Sequence, residues 1–142
     1  MNVYVDSSFL VSSYVQDMHK AEFLRRIAQR PIIWLTPFHR AEVANAISLH
    51  VFRKKLTPQA AMRAWTEFQE DIQSNVWMAV GLPVNAWETC IDLARRHSPT
   101  LGVRTLDSLH VACAIELRAD RFWTFDERQE KLAKTVGLNI TA

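Results

Sequence analysis

Apolar positions along this chain switch repeatedly between two spacings, and the switches mark out alternating strands and helices. Asn2 to Val5 is a short β-branched run that stops at Asp6-Ser7-Ser8, small polar residues suited to cap a following helix. Helical spacing then runs from Phe9 to Arg30, with a break expected around Gln16 to His19 and a stop at Pro31. Ile32 to Leu35 reads as a second strand. Thr36-Pro37 and Thr57-Pro58 each set a capping residue before a proline at the first helical position. Two long helices are therefore predicted. One runs to about Lys55; the other carries Ala61, Ala64, Trp65, Phe68 and Ile72 at three- and four-residue steps and returns antiparallel to it.

The second half repeats the alternation. Val76 to Val80 predicts a third strand, Gly81 and Pro83 punctuate, and Ala86 to His97 reads as a helix followed by a loop over Ser98-Pro99-Thr100-Leu101-Gly102. From Arg104 to Ala119, Leu106, Leu109, Ala112, Cys113 and Leu117 crowd much of a helix circumference, which predicts deep burial. Phe122 to Phe125 predicts a fourth strand, Asp126 to Val136 a helix, and Leu138 to Ile140 a final edge strand. Strands alternating with helices throughout predict an α/β fold around a mainly parallel sheet, and the absence of repeats or linkers predicts one domain over residues 1–142.

Composition narrows the class without naming a function. With 49% hydrophobic and 23% charged residues, 3 Gly and 5 Pro, the chain is neither disordered nor a disulfide-dependent miniature. A net charge of +2 is too mild to imply nucleic-acid binding by itself. Cys90 and Cys113 stand in apolar surroundings without a C-x-x-C, as small buried hydrophobes in a reducing compartment. No basic leader and no apolar run near the roughly 20 residues that span a bilayer is present, so a cytoplasmic protein without membrane contact is expected.

The acidic residues carry the candidate chemistry. Glu67, Glu70, Asp71, Glu88, Asp92 and Glu116 fall on middle turns of amphipathic helices, where a solvated face accounts for them. Asp6 and Asp126 instead fall at strand C-terminal ends, and Glu42 and Asp107 in the first turns of helices. In an open parallel sheet these places converge on the crevice beyond the strand ends. Each acid also has a local reading. Asp6 can cap the helix at Ser7, Asp126 can form a capping box with Gln129, Asp107 can pair with Arg104, and Glu42 can favour a helix dipole. The apolar neighbours of Asp107 and Glu42 argue against leaving either carboxylate unpaired. Neighbouring carboxylates about 4 Å apart repel by roughly 4 kcal/mol at an effective dielectric of 20, so a shared pocket calls for a cation. Oxygen donors without clustered His or Cys select Mg²⁺ or Mn²⁺, which suits phosphodiester hydrolysis.

The motifs Val3-Tyr4-Val5-Asp6-Ser7-Ser8, Arg40-Ala41-Glu42-Val43-Ala44-Asn45-Ala46, Arg104-Thr105-Leu106-Asp107-Ser108-Leu109-His110-Val111-Ala112 and Thr124-Phe125-Asp126 resemble, in order, the four acidic motifs of PIN domains, and most closely those of VapC-type ribonuclease toxins of toxin-antitoxin pairs. The resemblance implies a PIN-like α/β/α sandwich, bound Mg²⁺ or Mn²⁺, endoribonuclease activity, a cognate antitoxin and a homodimer. It carries the acidic ligand positions onto Asp6, Glu42, Asp107 and Asp126, and small hydroxyl positions onto Ser7, Ser8 and Thr124. His110 stands where D-x-x-H motifs place a histidine, as a neutral supporting residue rather than a ligand; Asn45 is placed to orient Glu42, and Arg104 to hold Asp107 or touch a phosphate. Arg53-Lys54-Lys55, Arg40 and His39 offer positive charge for an RNA backbone or, for the first three, a basic helix end. Of the five tryptophans, core packing is expected for most, with Trp77 and Trp87 the open cases. Two competing readings are a PIN-like module that binds RNA or protein without cutting, and a receiver-like phosphoacceptor domain. The second lacks an acidic neighbour to Asp6 and a Lys in Phe122 to Asp126.

Overall fold

A computed structural model describes residues 1–142. Four strands, β1 (Asn2–Val5), β2 (Ile32–Leu35), β3 (Met78–Ala79) and β4 (Arg121–Trp123), form one sheet in the order β3-β2-β1-β4. Every pairing is parallel, with Tyr4 opposite Trp34 and Val5 opposite Trp123. Seven helices flank it: α1 (Ser7–Tyr14), α2 (Lys20–Ile27), α3 (Pro37–Phe52), α4 (Pro58–Gln73), α5 (Ala86–Leu101), α6 (Thr105–Glu116) and α7 (Glu127–Thr135).

The period-2 alternation of the strands decides which helices go where. On β1, Val3 and Val5 point into a core built with α1 to α4, while Tyr4 points into a second core built with α5, α6 and α7. On β4, Trp123 joins the first core and Phe122 the second. The α/β/α layering that the resemblance implies is therefore what forms. Helix α6 is buried from Asp107 through Ala114, as its apolar circumference predicts.

Three local expectations are corrected. Pro99 does not begin a loop, because α5 continues to Leu101. A proline in the last turn removes only one helical hydrogen bond, and the carbonyl it abandons belongs to solvent-exposed Arg95. The stop comes instead at Gly102, whose φ of +62° is a left-handed cap that glycine adopts without penalty. Leu138 to Ile140 is not a strand; it contributes one bond to the free edge of β4, from the Phe122 amide to the Asn139 carbonyl at 2.8 Å. The third strand shrinks to Met78–Ala79, with both residues exposed at the sheet edge.

The strand order places the switch in chain direction at β1, since the chain runs outward through β2 and β3 and returns on the other side as β4. A crevice at the carboxyl ends of the strands follows from that topology.

Candidate active site

Asp6 lies one residue beyond β1, and its amide extends the ladder to the Trp123 carbonyl at 3.2 Å, which brings Thr124 alongside. Its carboxylate is 5% exposed and receives the Ser8 hydroxyl at 2.7 Å, the Thr124 hydroxyl at 2.9 Å and the Phe9 amide at 3.1 Å. The last of these caps α1, so the local reading and the site reading of Asp6 hold together. Burial nevertheless pushes its carboxyl above the usual value, against the opposing effects of His110 and of these hydrogen bonds. Asp6 is thus a buried carboxyl without a basic side chain hydrogen-bonded to it.

Asp126 caps α7 by accepting the Gln129 amide at 2.9 Å. The reciprocal half of the expected capping box is absent, because the Asp126 amide donates to the Thr124 hydroxyl at 2.9 Å instead. Thr124 is therefore the joint between two acids, giving its proton to Asp6 and accepting from the Asp126 backbone. Gln129 turns inward, and its carbonyl oxygen is buried without a partner.

Glu42 is held from two sides, by the Ser7 hydroxyl at 2.7 Å and by His110 Nε2. Burial acts to raise its carboxyl, but the bonds from His110 and Ser7 and the field of His110 outweigh it and keep the pKa below the ordinary value. His110 is itself buried, and its Nδ1 is hydrogen-bonded to the Tyr4 hydroxyl at 2.9 Å. The ring thus contacts Glu42 rather than presenting itself to solvent. Asn45 does not orient Glu42. Both bonds to that carboxylate come from Ser7 and His110, and Asn45 is exposed on the cavity wall. Asp107 reaches back to the Arg104 amide and side-chain Nε, both at 3.3 Å, so the expected pair forms at the start of α6.

Most of these groups line two adjoining cavities. A cavity of about 790 Å³ is lined by Ser7, Ser8, Glu42, Asn45, Arg104 and Asp126, among others. A smaller one of about 380 Å³ adds Asp107 and shares Glu42 and Arg104 with it. Asp6 sits behind Ser8 and Thr124 rather than on the wall. No three His, Cys, Asp or Glu side chains stand close enough to grip one ion among themselves. A closed protein cage is thereby excluded in this arrangement. The donor set still fits Mg²⁺ or Mn²⁺, because every candidate donor is an oxygen and such ions keep several waters while taking one or two carboxylates directly.

Of the basic residues, Arg53 and Arg104 line the large cavity. His39 does not supply positive charge. It is fully buried, with Nδ1 accepting the Thr36 amide at 2.9 Å and Nε2 bonded to the Val5 carbonyl at 2.7 Å, and burial, with the field of His110, lowers its pKa to about 3. Arg40 turns to Gln69 at 3.3 Å. Trp77 and Trp123 are core residues, whereas Trp87 is 52% exposed. Asp71, expected on a solvated face, instead accepts the Tyr14 hydroxyl at 2.6 Å. Both cysteines are free and buried, as expected.

A family model described as the PIN domain matches residues 3–135. The chain belongs to the PIN domain family. Its fold recurs in solved structures at low identity. Mycobacterium tuberculosis VapC20, described as a sarcin-ricin loop cleaving toxin, has a TM-score of 0.72 at 16% identity, with 99% of this chain and 98% of that one covered. FitAcB from Neisseria gonorrhoeae has a TM-score of 0.66 at 12% identity over 99% of this chain and 96% of that one. No curated protein matches the sequence. Glu42, which stands in the second turn of α3 rather than the first, lines both cavities, with Asp126 on the larger and Asp107 on the smaller. No helix is long and apolar enough to cross a membrane.

The sequence reading missed Tyr4, His19, Phe38 and Phe125 as members of the site. Tyr4 carried a usable signal: a phenol in an otherwise apolar strand needs a buried polar partner, and His110 on the deeply buried helix α6 needs one too.

Proposed function

We propose that this PIN domain is a metal-dependent endoribonuclease and the toxin of a toxin-antitoxin pair. The observation that supports the proposal is that Glu42 and Asp126 line the large cavity and Glu42 and Asp107 the adjoining smaller one, with Asp6 buried behind Ser8 at the end of β1. The likeness in fold to a toxin described as cleaving the sarcin-ricin loop supports RNA as the substrate class. The antitoxin is expected to cover the same groove, and a homodimer to set two grooves on one particle.

Asp6, Glu42, Asp107 and Asp126 are the residues that would hold Mg²⁺ or Mn²⁺, directly or through water. When bound, the cation supplies positive charge to the phosphodiester oxygens and acidity to an attacking water. The chain itself fixes the acids. Ser8 and Thr124 orient Asp6, and Ser7 and His110 hold Glu42 with its pKa below the ordinary value. Arg104, with its side chain 72% exposed, is free to fork onto a phosphate while its stem stays over Asp107.

The pairing of Glu42 with His110 and of Asp107 with Arg104 favours a second reading, a PIN-like module that binds RNA or protein without cutting. Incubating the purified chain with total bacterial RNA in Mg²⁺, Mn²⁺ or EDTA separates the two. Discrete fragments formed only with metal support the nuclease; metal binding and RNA binding with no cleavage support the module.

A further inference from the structure

His19 and Phe125 stack face to face on the rim of the large cavity, with ring centroids 4.3 Å apart and an interplanar angle of 6°. Phe125 is the residue between Thr124 and Asp126, so the stack begins beside the acids. Behind it stands fully buried Phe9, whose ring stacks on Phe125 at 5.3 Å and 25°. The guanidinium of Arg26 lies 5.8 Å from the Phe125 centroid. The column Phe9, Phe125, His19 therefore runs from the core to the cavity and ends on a half-buried imidazole.

The segment that carries His19 is tied down locally. Its amide donates to Asp17 Oδ1 at 2.9 Å, Asp17 accepts the Ser12 hydroxyl at 2.8 Å, and Lys20 Nζ donates to the Ser12 and Ser13 carbonyls. The break between α1 and α2 is thus a braced turn that holds an aromatic ring at the opening. An imidazole fixed in this way loses little freedom on meeting a flat ligand. Arg53 and Arg104 line the same cavity, positioned for backbone charge.

We infer that the His19–Phe125 stack is the platform on which a base of a single-stranded RNA rests while its phosphate lies at the acids. This deepens the nuclease reading and rests on it. A π face accepts any base, so the stack contributes affinity and places the strand, and base identity is left to other contacts.

The test measures binding of fluorescein-labelled ten-nucleotide single-stranded RNAs to the full chain, with Ca²⁺ supplying the charge. Wild type is compared with His19→Ala and His19→Phe, on intact strands and on strands with one abasic position moved along them. His19→Ala is expected to weaken binding of intact strands about tenfold and His19→Phe to restore it, since one stacked base is worth about that factor. One abasic position should weaken wild type by a similar factor and weaken His19→Ala no further. Loss of RNA binding in wild type overturns the nuclease reading and the platform together. Wild-type binding with equal affinity in His19→Ala, or additive losses from the abasic position and His19→Ala, overturns the platform alone. The abasic series on wild type needs no variant, so a folding defect in His19→Ala leaves the inference decidable: affinity unchanged at every abasic position overturns it.

Discussion

The hydroxyl of Thr124 lies 2.9 Å from Asp6 Oδ2, joining residues 118 positions apart in the chain. Because the same oxygen accepts the Asp126 amide, a single side chain sets two acids relative to one another. Thr124→Val keeps the shape but leaves the Asp126 amide without an acceptor and removes one of the three groups that donate to Asp6, which is expected to cost about 2–3 kcal/mol of stability. RNA cleavage should fall by roughly tenfold to a hundredfold through misplacement of the acids. Thr124→Ser should restore both. Urea denaturation and cleavage assays on the two variants check this, and full activity in Thr124→Val would refute the joint.

His39 provides a pH signature. Its folded pKa of about 3 lies below the ordinary histidine value, so between the two the unfolded chain binds a proton that the folded one refuses. The stability it contributes is complete above the ordinary value and is lost as pH falls towards 3. Protonation would force Nδ1 to face the Thr36 amide as a second donor. Between about pH 6.5 and pH 5, this one group should lower unfolding free energy by up to about 1.4 kcal/mol per pH unit. His39→Gln keeps a donor near the Val5 carbonyl and removes the titration, so its stability should be lower at neutral pH and flatter below. Equal pH slopes in the two proteins would contradict the assignment.

Much of this was legible in the sequence, and the rest was hidden for definable reasons. The strand end at Asp6 and the proline-marked starts of α3 and α4 were set by local rules, whereas β4 spans Arg121–Trp123 and stops short of the expected Phe125. Parallel order led to the expectation that the four acids converge; the fold sets Glu42, Asp107 and Asp126 on two adjoining cavities and buries Asp6 behind Ser8. Pro99 misled because a proline signals a boundary, while its actual cost depends on whether the abandoned carbonyl reaches water. His39 misled because charge counted along a chain ignores burial. Asn45 stands one turn from Glu42 and looked well placed, but Ser7 and His110 arrive from other elements, and no spacing rule reports contacts across 35 and 68 positions.

Arg104 tests the division between structure and binding. Its pair with Asp107 is 3.3 Å long and its side chain is largely in solvent, so Arg104→Ala should change stability by less than about 1 kcal/mol. If the guanidinium meets a phosphate, the same variant should weaken RNA binding and reduce the dependence of log affinity on log salt by about one unit of charge. Arg104→Lys should recover the salt dependence but only part of the affinity, because a lysine lacks the planar fork. An unchanged salt slope would confine Arg104 to holding Asp107.

The central claim is that Asp6, Glu42, Asp107 and Asp126 act as one cleaving site. The most direct measurement compares cleavage of total bacterial RNA in Mn²⁺ by wild type and by Asp6→Asn, Glu42→Gln, Asp107→Asn and Asp126→Asn, with folding followed by circular dichroism. The account predicts discrete fragments from wild type that vanish in EDTA and in all four folded variants. Fragments that persist in EDTA, or in any folded variant at the wild-type rate, would contradict it.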